Sequence, residues 1–405
     1  MRSTKAQEIS KNVYWVGAID WNLRNFHGYT TPRGSSYNAY LITGERNVLI
    51  DTVKHPIFNQ LLERVTSVID PTTIDLIVSN HTEMDHSGSL LRMQEITGAK
   101  VIASRNGKEG LAMYFPQLEV EAVNDLQEIS IGSRTLRFIN TPMLHWPDSM
   151  FTFMVEDGIL FSMDGFGQHY ASEKRFDSEV DRCVLMREAA KYYANILMPF
   201  GKQFLNTLEK IKDLDIRMLA CSHGIIWREG IEDIISSYVS WAKGETREKA
   251  VVVYDTMWGS TRIMAEDIAE GIASKGMEVL VFKMSDSDRS EVMQEVLDAR
   301  AVVMGSPTIN NCLFPSMADI ATYMKGLRPK ARLGAAFGSY GWGGGATKEL
   351  RGHMEKGGLI MPMDDLDMKY RPNDEQRIQC FEFGREIGER MKEWDSNPNA
   401  VGEQV

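Results

Sequence analysis

Four groups able to hold a metal fall within six residues in the run Ile77-Val-Ser-Asn-His81-Thr-Glu83-Met-Asp85-His86-Ser-Gly88. A β-rich stretch ends at about Asn80, so the four stand at the mouth of a strand. Alternation along an extended chain puts His81, Glu83 and Asp85 on one side, with His86 turning in as the loop closes. Three further residues occupy the same kind of place, directly after a β-rich run: His145 after residues 136–140, Asp164 after 159–163 and His223 after 218–221. A single histidine there is commonly a cap or a core residue, and Asp164 before a glycine reads as a turn aspartate. The dense cluster at His81–His86 is different, because unpaired carboxylates and imidazoles resist burial and have no packing rationale. The set is His, Glu and Asp without a thiolate. Such ligands suit iron, manganese or zinc, and a shared aspartate can bridge two ions.

A second constellation lies far along the chain. The stretch Ala250-Val-Val-Val-Tyr-Asp255 runs into Thr256-Met257-Trp258-Gly259-Ser260-Thr261 and then a helix. Hydroxyls and backbone N–H groups at a helix N-terminus make an anion site. The loop has neither the lysine of a P-loop nor the GxGxxG of a dinucleotide fold, so a monophosphate fits better than a triphosphate or NAD. Two more loops follow strands on the same edge, Ser306-Pro307-Thr308-Ile309-Asn310 and Ser339-Tyr340-Gly341-Trp342-Gly343. With Trp258, Tyr340 and Trp342 they offer walls for a flat ring beyond the strand carboxyl ends, and together the three loops point to FMN.

The elements that carry these loops have two different grammars. Up to about residue 243, short β-rich runs broken by turn residues alternate with occasional helices (56–68 and 178–194), which suggests two sheets flanked by helices. The charged segment 242–249 reads as a linker. Beyond it, five strands (250–255, 279–283, 301–305, 333–338, 358–361) each precede a helix. This is the pattern of a buried, doubly wound parallel sheet. The expected domains are residues 1–248 and 249–405.

Composition narrows the class. The chain has 405 residues, 43% apolar and 25% charged, as in folded globular proteins. No apolar run approaches the length of a membrane span, and the first residues lack a secretory pattern, so a cytoplasmic location is expected. Split after Glu248, the two parts carry net charges of −6 and −5, which disfavours nucleic acid as a partner. Cys183, Cys221, Cys312 and Cys380 are scattered with no CxxC pair, so a disulfide framework or an iron–sulfur module is not expected.

The motif His81-Thr-Glu83-Met-Asp85-His86, followed by single His145, Asp164 and His223, resembles the metallo-β-lactamase-like domain of flavodiiron proteins. Residues 249–397 resemble flavodoxin, and the domain order matches that family over nearly the full chain. The resemblance implies an αββα sandwich followed by a flavodoxin-like sheet, two irons per chain and FMN. It implies that His81, Glu83 and His145 hold one iron, that Asp85, His86 and His223 hold the other, and that Asp164 bridges them. Hydrolytic zinc relatives usually have histidine where Glu83 stands. The carboxylate adds negative charge and stabilises higher iron oxidation states, which suits redox chemistry. The implied activity is four-electron reduction of dioxygen to water, with nitric oxide reduction to nitrous oxide associated. His27, in a Gly-rich loop, is a candidate proton donor, whereas His55, His169 and His353 read as surface residues. The implied assembly is a head-to-tail homodimer or a dimer of dimers. Without a rubredoxin-type CxxC segment the electron donor is expected to be a separate molecule. The likeness is nearest to methanogen members that oxidise a reduced deazaflavin coenzyme, with rubredoxin as the second choice. A zinc hydrolase with an accessory flavodoxin domain, or an electron shuttle lacking metals, is the reading from another class.

Overall fold

The computed structural model describes residues 5–394. The chain divides into two compact units, one reaching to Tyr192 and including Lys202–Val239, the other comprising Tyr193–Gly201 and the residues from Ser240 onward.

The first unit is built on two sheets. One has seven strands, in the order Gln7–Ser10, Val13–Trp15, Tyr40–Ile42, Asn47–Ile50, Ile74–Ser79, Lys100–Ser104, Val120–Val123. The other has five, in the order Glu128–Ser130, Thr135–Asn140, Met150–Met154, Ile159–Met163, Met218–Cys221. One apolar cluster joins side chains of both sheets, among them Ile50, Val78, Phe138 and Phe161. A second, with Leu49, Ile77 and Val101, lies under the helices Phe58–Thr66, Leu90–Thr97 and Arg105–Tyr114. Neighbouring strand residues thus go to opposite faces, and burial of both faces explains why these strands read as continuous apolar runs. This is the expected αββα sandwich.

In the second unit five parallel strands run in the order Glu278–Lys283, Arg247–Tyr254, Ala299–Pro307, Leu333–Tyr340, Leu366–Lys369. Val251 and Val253 enter one apolar cluster and Ala250, Val252 and Tyr254 the other, so the sheet is covered on both faces, as a doubly wound fold requires.

Three elements differ from expectation. The last strand is Leu366–Lys369, not 358–361; there the chain makes only an isolated bridge, Leu333 with Ile360. Pro362 follows at once and supplies no N–H to continue a ladder. The helix expected from 178 starts at Arg182 and ends in a π turn, Tyr193–Leu197. The charged segment 242–249 is mostly structured: helix Ile231–Lys243 ends before Gly244 (φ 72°), and the strand resumes at Arg247.

Candidate functional site

The seven expected metal-binding side chains arrive from four loops at one edge of the first unit's sheets. His81 follows strand Ile74–Ser79. Glu83 caps the short helix Met84–Ser87, which carries Asp85 and His86. That turn corrects the extended-chain expectation: Asp85 does not continue an extended run from His81 and Glu83 but stands with His86 on a short helix. His145 lies between strands Thr135–Asn140 and Met150–Met154. Asp164 and His223 each follow a strand directly, and the parallel pairing of Met163 with Cys221 brings them side by side. Gly224 (φ 78°) must be glycine, since a Cβ there would sit 1.9 Å from Gln168 Oε1.

The side chains fall into two groups, His81, Glu83, His145 and Asp164, and Asp85, His86 and His223. Within each, one ligand atom per residue lies within 4.8 Å of the rest. Asp164 faces both. Its Oδ2 is 3.0 Å from His145 Nε2 and 3.6 Å from His81 Nε2, while its Oδ1 is 3.2 Å from His86 Nε2 and 3.4 Å from His223 Nε2. Both oxygens of Asp85, both nitrogens of His86 and Oδ1 of Asp164 are buried without a hydrogen-bond partner. These orphaned atoms of Asp85, His86 and Asp164, within a gathering of three carboxylates and four imidazoles, fit a pair of cations.

Electrostatics tell the same story for the bare side chains. Burial disfavours a charged His81, but Asp148, Glu83 and Asp164 outweigh it and raise its pKa to about 10. His145 rises to about 10 against burial because of Asp164 and Glu83. His86 rises to about 9, burial being outweighed by Asp85 and Asp164. Burial opposes ionisation of Asp164 and Glu83 as well, yet the imidazoles hold both below the usual carboxylate range. Protons on the rings thus stand where cations would balance the carboxylates.

Outer contacts aim the rings. Asp148 Oδ2 lies 3.0 Å from His81 Nδ1 and also accepts from the Thr82 N–H at 2.7 Å; His223 Nδ1 donates to the Ser36 carbonyl at 2.8 Å. Each leaves Nε2 for the centre. Sequence reasoning missed Asp148, whose loop carries no motif. His27 lies on the two-residue turn of hairpin Asn25–Phe26/Tyr29–Thr30, with its side chain 75% exposed and Nε2 3.5 Å from Glu83 Oε1.

His169 is a correction. It is fully buried, not a surface residue. Gln168 clamps the backbone of Ile225 through both ends of its amide, at 2.6 and 2.9 Å, and draws the following histidine inside against His223. Burial pushes its pKa well below the usual value. His55 is exposed and His353 half-buried.

The second unit holds a cleft of about 570 Å³ at the carboxyl ends of its strands. All expected residues of the three loops line it except Gly259, Thr261 and Ser306. Thr261 and Ser306 are buried behind the wall; Thr261 Oγ1 lies 2.8 Å from Ser339 Oγ and ties two loops together. Gly259 takes φ 87° and donates its N–H to Thr256 Oγ1 at 3.0 Å, which shapes the turn into helix Ser260–Ala273. Asn311 and Tyr370 also line the cleft. The signal for Asn311 was the Asn-Asn pair, both left-handed (φ 50° and 60°). Trp258 and Trp342 are each 93% exposed. Large aromatic faces left open beside a helix N-terminus suit a flat ring carrying a phosphate.

Comparison with known proteins agrees with both geometries. Residues 36–224 match the ODP family beta lactamase and residues 252–384 match flavodoxin. The chain is 44% identical to a nitric oxide reductase of Moorella thermoacetica, covering 95% of this chain and 98% of that protein. It is 39% identical to a coenzyme F420H(2) oxidase of Methanothermobacter marburgensis, covering 96% of this chain and 99% of that one. Among solved structures it superposes on rubredoxin oxygen:oxidoreductase from Desulfovibrio gigas with a TM-score of 0.94 at 37% identity, covering 96% and 99% of the two chains. The flavodiiron protein from Giardia intestinalis gives 0.93 at 36% identity, covering 96% and 97%.

Proposed function

Because the chain belongs to the flavodiiron proteins, we propose that it reduces dioxygen to water, and nitric oxide to nitrous oxide, with electrons passed through FMN. The observation that carries this reading is Asp164, whose two oxygens face two separate ligand groups. His81, Glu83 and His145 would hold one iron, Asp85, His86 and His223 the other, and Asp164 both. The cleft of residues 256–258, 260, 307–310 and 339–343 would hold FMN. We take residues 1–248 as the metal-binding domain and 249–405 as the flavin-binding one. When bound, the two irons supply a paired redox centre for a diatomic substrate, and FMN supplies electrons singly.

The protein's own residues do the rest. Asp148 and the Ser36 carbonyl lock His81 and His223 in the tautomer that presents Nε2. The buried carboxylates, largely shielded from water, set a strongly negative site that favours cations of high charge. His27 would carry protons inward, a role supported by its exposure to solvent and its 3.5 Å distance from Glu83. Glu83 in place of histidine, together with the family, removes the zinc hydrolase reading; the protein is an oxidoreductase.

Iron at about two per chain, a flavin absorbance spectrum and oxygen consumption abolished by His81→Ala are the expected results. Protein that is colourless after anaerobic iron supplementation would sink the reading. For the donor we favour a reduced deazaflavin coenzyme over rubredoxin, both of which are named for relatives of this chain. In stopped-flow mixing the reduced coenzyme should bleach the flavin within seconds; failure to bleach, with bleaching by reduced rubredoxin, reverses the choice. The working assembly is a homodimer or a dimer of dimers, with the open faces of Trp258 and Trp342 as its physical motive. Light scattering that finds only monomer at micromolar concentration counts against it.

A further inference from the structure

The helix Arg182–Tyr192 carries two charges on its buried side, Glu188 and Lys191, which are 6% and 2% exposed. Such side chains are almost never buried this fully unless something pairs with them. Three positions apart, they share one face of the helix. Both meet the chain just after His27. Arg33 Nε lies 3.2 Å from Glu188 Oε1. Lys191 Nζ donates to Thr30 Oγ1 at 3.2 Å and stands 5.4 Å from the centre of the Tyr29 ring, within reach of a cation–π attraction. The charges that chiefly offset the burial of Glu188 are those of Lys191 and Arg33.

What the helix grips here is slight. The strands Asn25–Phe26 and Tyr29–Thr30 have two residues each, with Asn25 opposite Thr30 and Phe26 opposite Tyr29. A hairpin that short does not hold its shape alone in water. It lies close to the metal groups, the Phe26 ring 6.1 Å from that of His223 and the His27 Nε2 3.5 Å from Glu83 Oε1. The position of His27 therefore depends on what fastens the strand Tyr29–Thr30. A hydrogen bond from a charged donor is roughly twice as strong as a neutral one, and Lys191 supplies it.

We propose that Lys191 is a positioning residue: it fastens the hairpin to the helix Arg182–Tyr192 and so keeps His27 beside Glu83. The assignment rests on the proton-carrying role given to His27 above.

The test uses the full-length, iron-loaded protein. Lys191→Met keeps the length of the side chain and removes its charge. Thr30→Val keeps the shape and removes the acceptor, whereas Thr30→Ser keeps the hydroxyl. Amide hydrogen exchange over residues 25–31, read by mass spectrometry, should speed up about tenfold in Lys191→Met and about threefold in Thr30→Val. It should stay within about twofold of wild type in Thr30→Ser, and exchange in the strand Ile74–Ser79 should not change in any of the three. In oxygen consumption Lys191→Met should lower kcat and leave KM within about twofold. Added to His27→Ala, it should lower kcat by less than about twofold further, because both changes act through one imidazole. Unchanged exchange over residues 25–31 in both Lys191→Met and Thr30→Val overturns the proposal, and so do losses that multiply in the double variant. Should Lys191→Met fail to fold, the two Thr30 variants decide by the same exchange criterion. Full turnover in His27→Ala would overturn the role of His27, and this assignment with it, whatever the exchange rates show.

Discussion

The metal cluster and the flavin cleft solve the problem of holding a cofactor in opposite ways. In the first unit the specificity sits in side-chain termini. Seven ionisable groups, all but Glu83 and His145 nearly or wholly buried, converge from four loops, and each has a partner that fixes it or a charge that needs it. In the second unit the specificity sits in backbone turns and in aromatic faces that remain open to water, Trp258 and Trp342 above all. A site of the first kind tolerates almost no change at a single atom, because every lost charge strands another. A site of the second kind spreads its affinity over many contacts, and no one of them decides the outcome.

The sharpest test of the contrast is Asp164→Asn. Removing the one charge that faces both groups should empty the centre and cut oxygen consumption by more than a hundredfold. It should also destabilise the metal-free first unit by about 3–5 kcal/mol, leaving flavin content untouched. Metal analysis, flavin absorbance and an oxygen electrode together check it; normal iron content would break the comparison.

Metal removal with a pH scan comes next. His81, His86 and His145 have folded pKa values of about 10, 9 and 10, above the ordinary imidazole value. Their contribution to metal-free stability is therefore fully present below about pH 6.5 and is lost as pH rises through 9 to 10. Glu83 and Asp164 are depressed, so their contribution holds above about pH 4 and fades in acid. The metal-free protein should show a thermal midpoint falling by several degrees between neutral and alkaline pH. At pH 7, loading it with metal should release about three protons, measurable by calorimetry in two buffers. A flat midpoint between pH 7 and 10 would deny the imidazole pairing.

Asp148→Asn should weaken iron binding by about ten- to a hundredfold, since it disturbs how His81 is aimed without removing a ligand. Competition with a chelator reads this directly. The smallest change is expected in the cleft, where Trp342→Ala should weaken FMN binding by about three- to tenfold, the worth of one aromatic contact. If the flavin were lost altogether, the cleft would be no more forgiving than the metal cluster.

How much of this was legible before the fold was seen follows the same divide. Candidate ligands announce themselves by type and by position after a strand, so the seven side chains that the fold gathers into two groups could be named, and the sandwich and parallel sheet followed from strand length and apolar continuity. Residues acting through others have no such mark. Asp148 lies in a plain loop, and nothing local says that its carboxylate meets His81. His169 looks like any polar loop residue until Gln168 fastens to the backbone of Ile225 and turns it inward. The strand at Leu366–Lys369 was misplaced for a simpler reason, that the apolar run before Pro362 looks more strand-like than the segment which pairs.

The pairing of Ile159–Met163 with Met218–Cys221 has a consequence for how the protein comes into being. His81 leaves the ribosome long before His223, yet neither cation can be fully enclosed until the later strand has docked beside the earlier one. Iron capture therefore belongs to the late stage of synthesis, after most of the sandwich has closed. A nascent chain released before that strand would carry six of the seven candidate ligands and still make a poor trap for the metal.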